Sequence, residues 1–279
     1  MPEIFEANNN DVKEITSNES VEKESEQEIC EEKMSPQEVA DHTHIQTKES
    51  VVKQYGEYMT YDRIKEIQSH ETLRALKVVA PEAYHEAFPN MPYGVMGHCD
   101  NEGNIFVKES TEANIRHITA HETMHLVSEK ELHIENDGIV YVSGLRESKV
   151  QGQIVISDLD LAVNEGTTEM YTLRELAKQG EDEAAFSVSA YSESRMWMER
   201  IEGLLGEKEL AKAYFGGRKE ELKREFNKLN NNDEAAWGKF SRDIDILEYG
   251  NDSEKCQAAR IRLALRYGDM MKNCYGLED

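Results

Sequence analysis

Two histidines and a glutamate in the run His117-Ile118-Thr119-Ala120-His121-Glu122-Thr123-Met124-His125 are the residues best placed to do chemistry, because they form an HExxH motif. On a helix, residues four apart share a face, so the imidazoles of His121 and His125 project side by side, one turn apart. That arrangement suits two neighbouring corners of a tetrahedral zinc site. Glu122 follows the first histidine and reaches a water on such an ion from the side. The ion lowers the water's pKa and the carboxylate takes its proton, which is the general-base role of metalloprotease chemistry. Two ligands do not complete a site. Hydrolytic zinc takes three protein ligands and leaves a fourth position for water.

The extended metzincin pattern needs glycine three residues after His125 and histidine six after it, but Ser128 and Glu131 stand there. His133 falls beyond the expected end of the helix and reads as a surface histidine. The better third ligand lies in Asn164-Glu165-Gly166-Thr167-Thr168-Glu169. Asn164 is a natural N-cap, which puts Glu165 in the first turn of a new helix and Glu169 one turn on, on the same face. Glu165 is then expected to bind the ion. Glu169 is expected to accept the outer N–H of a ligand histidine and so fix its tautomer. The competing reading of Glu165 is a solvated helix-start carboxylate favoured by the helix dipole.

HExxH followed downstream by Asn-Glu-x-x-(Ser/Thr)-(Asp/Glu), here His121 to His125 and then Asn164 to Glu169, resembles the gluzincin metallopeptidases, the thermolysin-like group. The Asn164-Glu165-Gly166 form is also similar to the corresponding segment of aminopeptidase N-like enzymes. The resemblance implies His121, His125 and Glu165 as ligands of one zinc ion per chain, Glu122 as catalytic base and Glu169 as the partner of a ligand histidine. The segment from Tyr93-Gly94 to Gly103-Asn104-Ile105-Phe106-Val107 likewise resembles a zincin edge strand, along which an extended peptide pairs. The resemblance covers roughly residues 93–173. The chain departs from the group in the 40 positions from His125 to Glu165, longer than the usual one-helix spacing. A hairpin inserted there accounts for the difference and is placed to form a wall or flap of the cleft.

Hydrolysis also needs a donor for the developing oxyanion. Tyr191, at a helix start in Ser189-Ala190-Tyr191-Ser192, is the first choice and Tyr141 the alternative. The resemblance favours Tyr191, since gluzincins often use a tyrosine after the ligand helix. Arg146 and Arg195 are candidates for binding a substrate carboxylate, weighed against surface ion pairs. His117, four residues before His121, reads as a packed or solvent-facing neighbour ahead of a fourth ligand, which would close the site. His98 reads as structural or surface. His42 and His44 stand too near the amino-terminal segment to place.

The elements that must position these residues follow from pattern. Ser35-Pro36-Gln37-Glu38 is a capping box with proline at the first helical position. Helical patterns cover residues 61–69, 72–79 and 81–88. Residues 93–99 and 104–107 read as a β-hairpin. Ser110 or Thr111 caps the motif helix. A second hairpin is expected from 138–142 and 150–156, with 143–149 connecting its arms. From about residue 161 the pattern is helical to the end, with segments at 164–177, 191–205, 207–215, 218–228, 233–245 and 253–272.

Composition narrows the partners. With 56 acidic against 32 basic residues, the net charge of −24 repels phosphate backbones and argues against nucleic acid. No stretch approaches the length of apolar sequence that a transmembrane helix requires. The start Met1-Pro2-Glu3-Ile4-Phe5-Glu6 lacks the basic and apolar regions of a secretory signal. Cys30, Cys99, Cys256 and Cys274 are scattered, with no CxxC pair, which fits a reducing, cytoplasmic-type setting and leaves signal-independent export open. Runs such as Glu22-Lys23-Glu24-Ser25-Glu26-Gln27-Glu28 carry too little apolar surface to offset ordering entropy. Residues 1–34 are therefore expected to be a disordered acidic tail, and residues 35–279 one α+β domain. That domain should be mostly helical and zincin-like, with a small sheet over the HExxH helix. The expected function is a zinc-dependent peptidase acting on a peptide or protein. The alternative is a non-catalytic zinc-binding interaction module on the same scaffold.

Overall fold

The computed structural model describes residues 34–69, 75–92, 94–100, 102–152, 154–181 and 191–277. The expected acidic tail, apart from Met34, lies outside the described residues, as does Tyr93. Helix α1 (Pro36–Tyr55) starts where its capping box places it. Ser35 Oγ accepts the Glu38 N–H, and the Glu38 carboxylate accepts the Ser35 N–H at 2.7 Å. Helix α2 (Tyr61–Gln68) follows, with Thr60 as its cap.

The helical pattern expected over 72–79 gives way to a strand, β1 (Ala75–Val79), with residues 72–74 outside the described set. A short apolar run fits a helix or a buried strand equally well by periodicity, and only its pairing decides. Here β1 lies parallel to β3 (Asn104–Lys108), and Leu76 and Val78 pack on Ile105, Val107, Ile115 and Leu126. Between the two strands come α3 (Pro81–Ala87) and β2 (Gly97–Cys99). Strand β2 runs antiparallel to β3, so the sheet order is β1-β3-β2 and β2 is an edge.

The motif helix α4 (Glu112–Val127) begins at Thr111, whose hydroxyl accepts the Asn114 N–H. A four-stranded antiparallel sheet follows in sequential order: β4 (Lys130–Glu135), β5 (Gly138–Ser143), β6 (Arg146–Gln151) and β7 (Ile154–Leu159). This corrects the expected hairpin. The segment 143–149 is mostly strand β6, and the turn is confined to Gly144-Leu145. Arg146-Glu147-Ser148-Lys149 has no apolar alternation to announce a strand, yet β6 is paired on both sides. Its first residue, Arg146, also makes a bidentate pair with Asp158 on β7 at 2.8 and 2.7 Å.

Among the described residues that follow, the elements are helices: α5 (Leu161–Lys178), α6 (Ser192–Leu205), α7 (Glu207–Gly216), α8 (Lys219–Leu229), α9 (Ala236–Tyr249) and α10 (Ser253–Tyr275). The described chain is thus α+β and mostly helical, and none of its helices is long and apolar enough to cross a membrane. The main core joins α1 to these later helices. Tyr55 stacks on Phe215 at 4.6 Å between centroids and meets Tyr171 edge-on, beside Tyr214, Trp197 and Phe226.

Helix α4 has α1 on one side, α5 on another and strands β2 and β3 across it. Its buried residues therefore include polar ones, namely His117, Thr119, His121, Glu122 and Thr123, besides Ile115, Met124 and Leu126. Buried polar groups persist where neighbours supply hydrogen bonds. One such neighbour is His44 of α1, which is itself buried and whose Nδ1 lies 2.8 Å from Thr123 Oγ1. Burial, aided by the charge of Lys48, pushes the His44 imidazole down to about 4.

A histidine depressed in this way is neutral in both folded and unfolded states above its ordinary value, so it favours neither there. Below that value the unfolded chain takes up the proton first, and stability falls as pH drops from about 6.5 towards 4. The loss should be on the order of 3 kcal/mol over the whole window. His44→Gln should therefore gain in urea midpoint relative to wild type on going from pH 7 to pH 5. An unchanged difference between the two proteins would show that His44 is not held neutral.

Candidate metal centre

Helix α5 starts earlier than its sequence suggests. Asn164 is not the N-cap: the helix begins at Leu161, after Asp160 in a left-handed conformation with φ 59°. Asp160 is held by Trp237 Nε1 at 3.0 Å and Lys219 Nζ at 2.9 Å, while the Ala162 N–H is taken by Asp245 of α9 at 3.0 Å. Asn164 instead turns its Oδ1 to the Leu145 N–H at 2.9 Å, fastening the β5–β6 turn to the helix. A capping residue type was thus satisfied by a turn far away in sequence. Glu165 and Glu169 keep their one-turn spacing, and both are buried.

The consequence is a convergence of α4 and α5. His121 Nε2 lies 3.3 Å from Glu165 Oε2, His125 Nε2 lies 3.1 Å from the same oxygen, and the two imidazole nitrogens are 3.2 Å apart. Ligand atoms at about 2.0–2.1 Å from a tetrahedral ion are separated by about 3.3 Å. The three atoms therefore form a triangle of the size such an ion requires. Among the described residues, His121, His125 and Glu165 are the group that can hold a metal ion.

The outer nitrogens settle the orientation of the rings. Glu169, fully buried, faces His121 Nδ1 at 2.9 Å with one oxygen and His117 Nε2 at 2.8 Å with the other. Burial alone would raise this carboxyl, but the hydrogen bonds from His117 and His121 outweigh it and bring Glu169 down to about 2. A carboxylate only accepts, so His121 keeps a proton on Nδ1, which makes Nε2 the nitrogen that can offer a lone pair to an ion in the triangle. His125 Nδ1 faces Thr168 Oγ1 at 3.4 Å. The Thr168 hydroxyl donates to Asn164 O at 2.8 Å and takes the Tyr214 hydroxyl proton at 2.7 Å, so His125 is the donor here too and presents Nε2 inward. The Thr168 and Tyr214 contacts had no signal in sequence spacing. Thr168 stands inside Asn164-Glu165-Gly166-Thr167-Thr168-Glu169, and its position one residue before Glu169 could have prompted the question.

Electrostatics favour a cation. Burial disfavours a protonated His121, yet its hydrogen bonds to the Glu165 and Glu169 carboxylates raise its pKa well above the ordinary value, so this position favours positive charge, a proton on Nε2 or a metal ion in its place. Burial likewise works against ionised Glu165, but His125 and His121 hold it far below the carboxylate range. Glu122 differs: burial pushes its carboxyl up, and His121 and His125 only partly oppose this. Its carboxylate accepts the backbone N–H of Cys99 on edge strand β2. The strand approaches closely because Gly97 has no side chain. A Cβ there would stand 2.4 Å from Ile118 and 3.5 Å from the Glu122 side chain.

A cavity of about 330 Å³ opens beside this group, lined among others by Val95, Met96, Ile118, His121, Glu122 and Tyr191. Tyr191 stands immediately before α6 with φ 63°, and its ring lies nearly parallel to His121 at 5.7 Å between centroids. Burial raises its hydroxyl pKa, so it remains a donor. Tyr141 sits on β5 and does not line the cavity. Arg146 is engaged by Asp158, and the guanidinium of Arg195 lies 3.9 Å from Glu199. His133 is exposed and pairs with Glu131, and His98 is tied to the Tyr84 hydroxyl at 2.7 Å.

This chain matches no family model, no curated protein and no solved structure.

Helix α6, which carries Tyr191 at its start, touches α5 backbone to backbone at Gly166. A Cβ on Gly166 would lie 2.5 Å from the Ser194 carbonyl carbon and 2.7 Å from the Arg195 nitrogen. Gly166→Ala must push the two helices apart and should cost about 1–3 kcal/mol. Gly203→Ala, in α6 with open space around it, should be neutral or stabilise by up to about 1 kcal/mol. Denaturant unfolding of both variants checks the contrast, and equal effects would contradict the close contact.

Proposed function

We propose that the protein is a zinc-dependent peptidase of gluzincin type. The observation that supports it most is the 3.1–3.3 Å triangle of His121 Nε2, His125 Nε2 and Glu165 Oε2, with the buried Glu122 carboxyl beside it. Two imidazoles and one carboxylate in a small tetrahedral arrangement suit zinc. His117, which its spacing offers as a fourth ligand, has Nε2 turned to Glu169 instead. Three protein ligands favour a catalytic site over a structural one.

Zinc bound there would polarise the scissile carbonyl and make the attacking water acidic. Glu122 takes the proton as the water oxygen adds to the carbonyl carbon. It returns that proton to the amine nitrogen as the C–N bond breaks, so the carboxylate is regenerated. Its raised pKa suits both transfers. Tyr191 donates to the developing oxyanion from beside His121. The substrate is an extended peptide lying along edge strand β2. Odd-numbered Gly97 faces away from β3, because Met96 and Asp100 make the bonds to that strand. One substrate side chain enters the cavity against Val95, Met96 and Ile118, which favours an apolar residue there.

Metal analysis and peptide cleavage by wild type, Glu122→Gln and Glu165→Ala test this reading together. Wild type should hold one zinc and cleave a peptide library. Glu122→Gln should keep the zinc and lose at least about 10²-fold in rate. Glu165→Ala should lose the metal. Full activity in Glu122→Gln, or full zinc in Glu165→Ala, overturns the assignment. Zinc bound without any cleavage by wild type leaves the interaction-module reading in its place.

A further inference from the structure

We infer that His117 is a positioning residue of the metal centre, acting through Glu169 on His121. This inference rests on the zinc-site reading above and extends it to a residue outside the ligand set and the catalytic base. His117 and His121 are one turn apart on α4, and both reach the same fully buried carboxylate of α5. His117 Nε2 stands 2.8 Å from Glu169 Oε1, and His121 Nδ1 stands 2.9 Å from Glu169 Oε2. The two histidines therefore clamp the carboxylate from one helix, each using one oxygen.

The clamp has a specific consequence. A carboxylate with a single donor can rotate about its terminal bond or present either oxygen to that donor. With Oε1 held by His117, only Oε2 is left for His121, and the plane of the carboxylate is set. That plane fixes the ring of His121 with Nδ1–H outward and the Nε2 lone pair towards Glu165 and His125. Removing the His117 donor leaves a buried oxygen unsatisfied, which drives Glu169 to find another donor or another rotamer. His121 is the nearest donor it already contacts, so the cost falls on the ligand.

The test compares His117→Phe, which lacks the donor, with His117→Gln, whose side-chain amide can restore it. Zinc affinity, measured by competition with a chromophoric chelator, should weaken by about 10–100-fold in His117→Phe, the range typical of lost outer partners. His117→Gln should recover most of that loss. The visible spectrum of the cobalt(II)-loaded protein should change in His117→Phe and return in His117→Gln, a signature that a purely structural role would not move. Because the action runs through Glu169, His117→Phe should have little further effect on affinity in a Glu169→Gln background. If the ring of phenylalanine prevents folding, His117→Met removes the donor without its bulk. Wild-type affinity in the donor-less variants, or additive effects with Glu169→Gln, would overturn the inference. Failure of the wild type to bind zinc or cobalt at all would instead refute the site reading on which it rests.

Discussion

A charged carboxylate with no solvent exposure, Glu169, sits where α4 and α5 meet, and much of the surrounding structure follows from keeping it satisfied. Burial of an unpaired carboxylate would cost several kcal/mol, so both oxygens must find donors in place. Both donors come from α4, one turn apart, as His117 and His121. This fixes the rotation of α4 about its axis relative to α5. It also fixes the height of one helix against the other, because one turn of histidine spacing must straddle a single carboxylate. Once that setting is made, Glu165, one turn before Glu169, falls opposite His121 and His125.

Other contacts hold α5 in the position that this interface demands. Its first turn is anchored by Asp245 of α9, and Asp160 before it is held by Trp237 and Lys219. Asn164 binds the turn between β5 and β6, so the four-stranded sheet that lies between α4 and α5 in the chain is tied to the helix that carries Glu165. On the far side, Gly166 lets α6 approach to backbone contact, which brings Tyr191 over His121. The motif helix is buried from several directions, so its polar residues are sheltered by neighbours that each supply a partner, as His44 does for Thr123. This enclosure explains why α4 lacks the one-sided apolar stripe of a surface helix.

Much of this was legible in the chain itself. The capping box of α1, the two carboxylates spaced one turn apart and the HExxH all depend on local spacing, and the structure brings His121, His125 and Glu165 together. What was not legible depended on partners distant in sequence. Residues 75–79 carry an apolar run whose strand identity comes only from lying beside β3. Arg146-Glu147-Ser148-Lys149 is polar throughout and becomes a strand because it is flanked on both sides. Asn164 has the chemistry of a cap, but a turn nineteen residues earlier claims its side chain, and the helix begins before it.

The same division runs through the candidate metal centre. Residue type and helical period alone determined that two imidazoles would share a face of one helix and two carboxylates a face of another, because the pitch of a helix is a local property. The tertiary structure decided which histidine meets Glu169, that His117 joins it, and that Thr168 and Tyr214 orient His125. Those are choices of rotation and approach between helices. They are made by buried charge, by a glycine contact and by side-chain anchors from distant segments, none of which leaves a periodic trace in the chain.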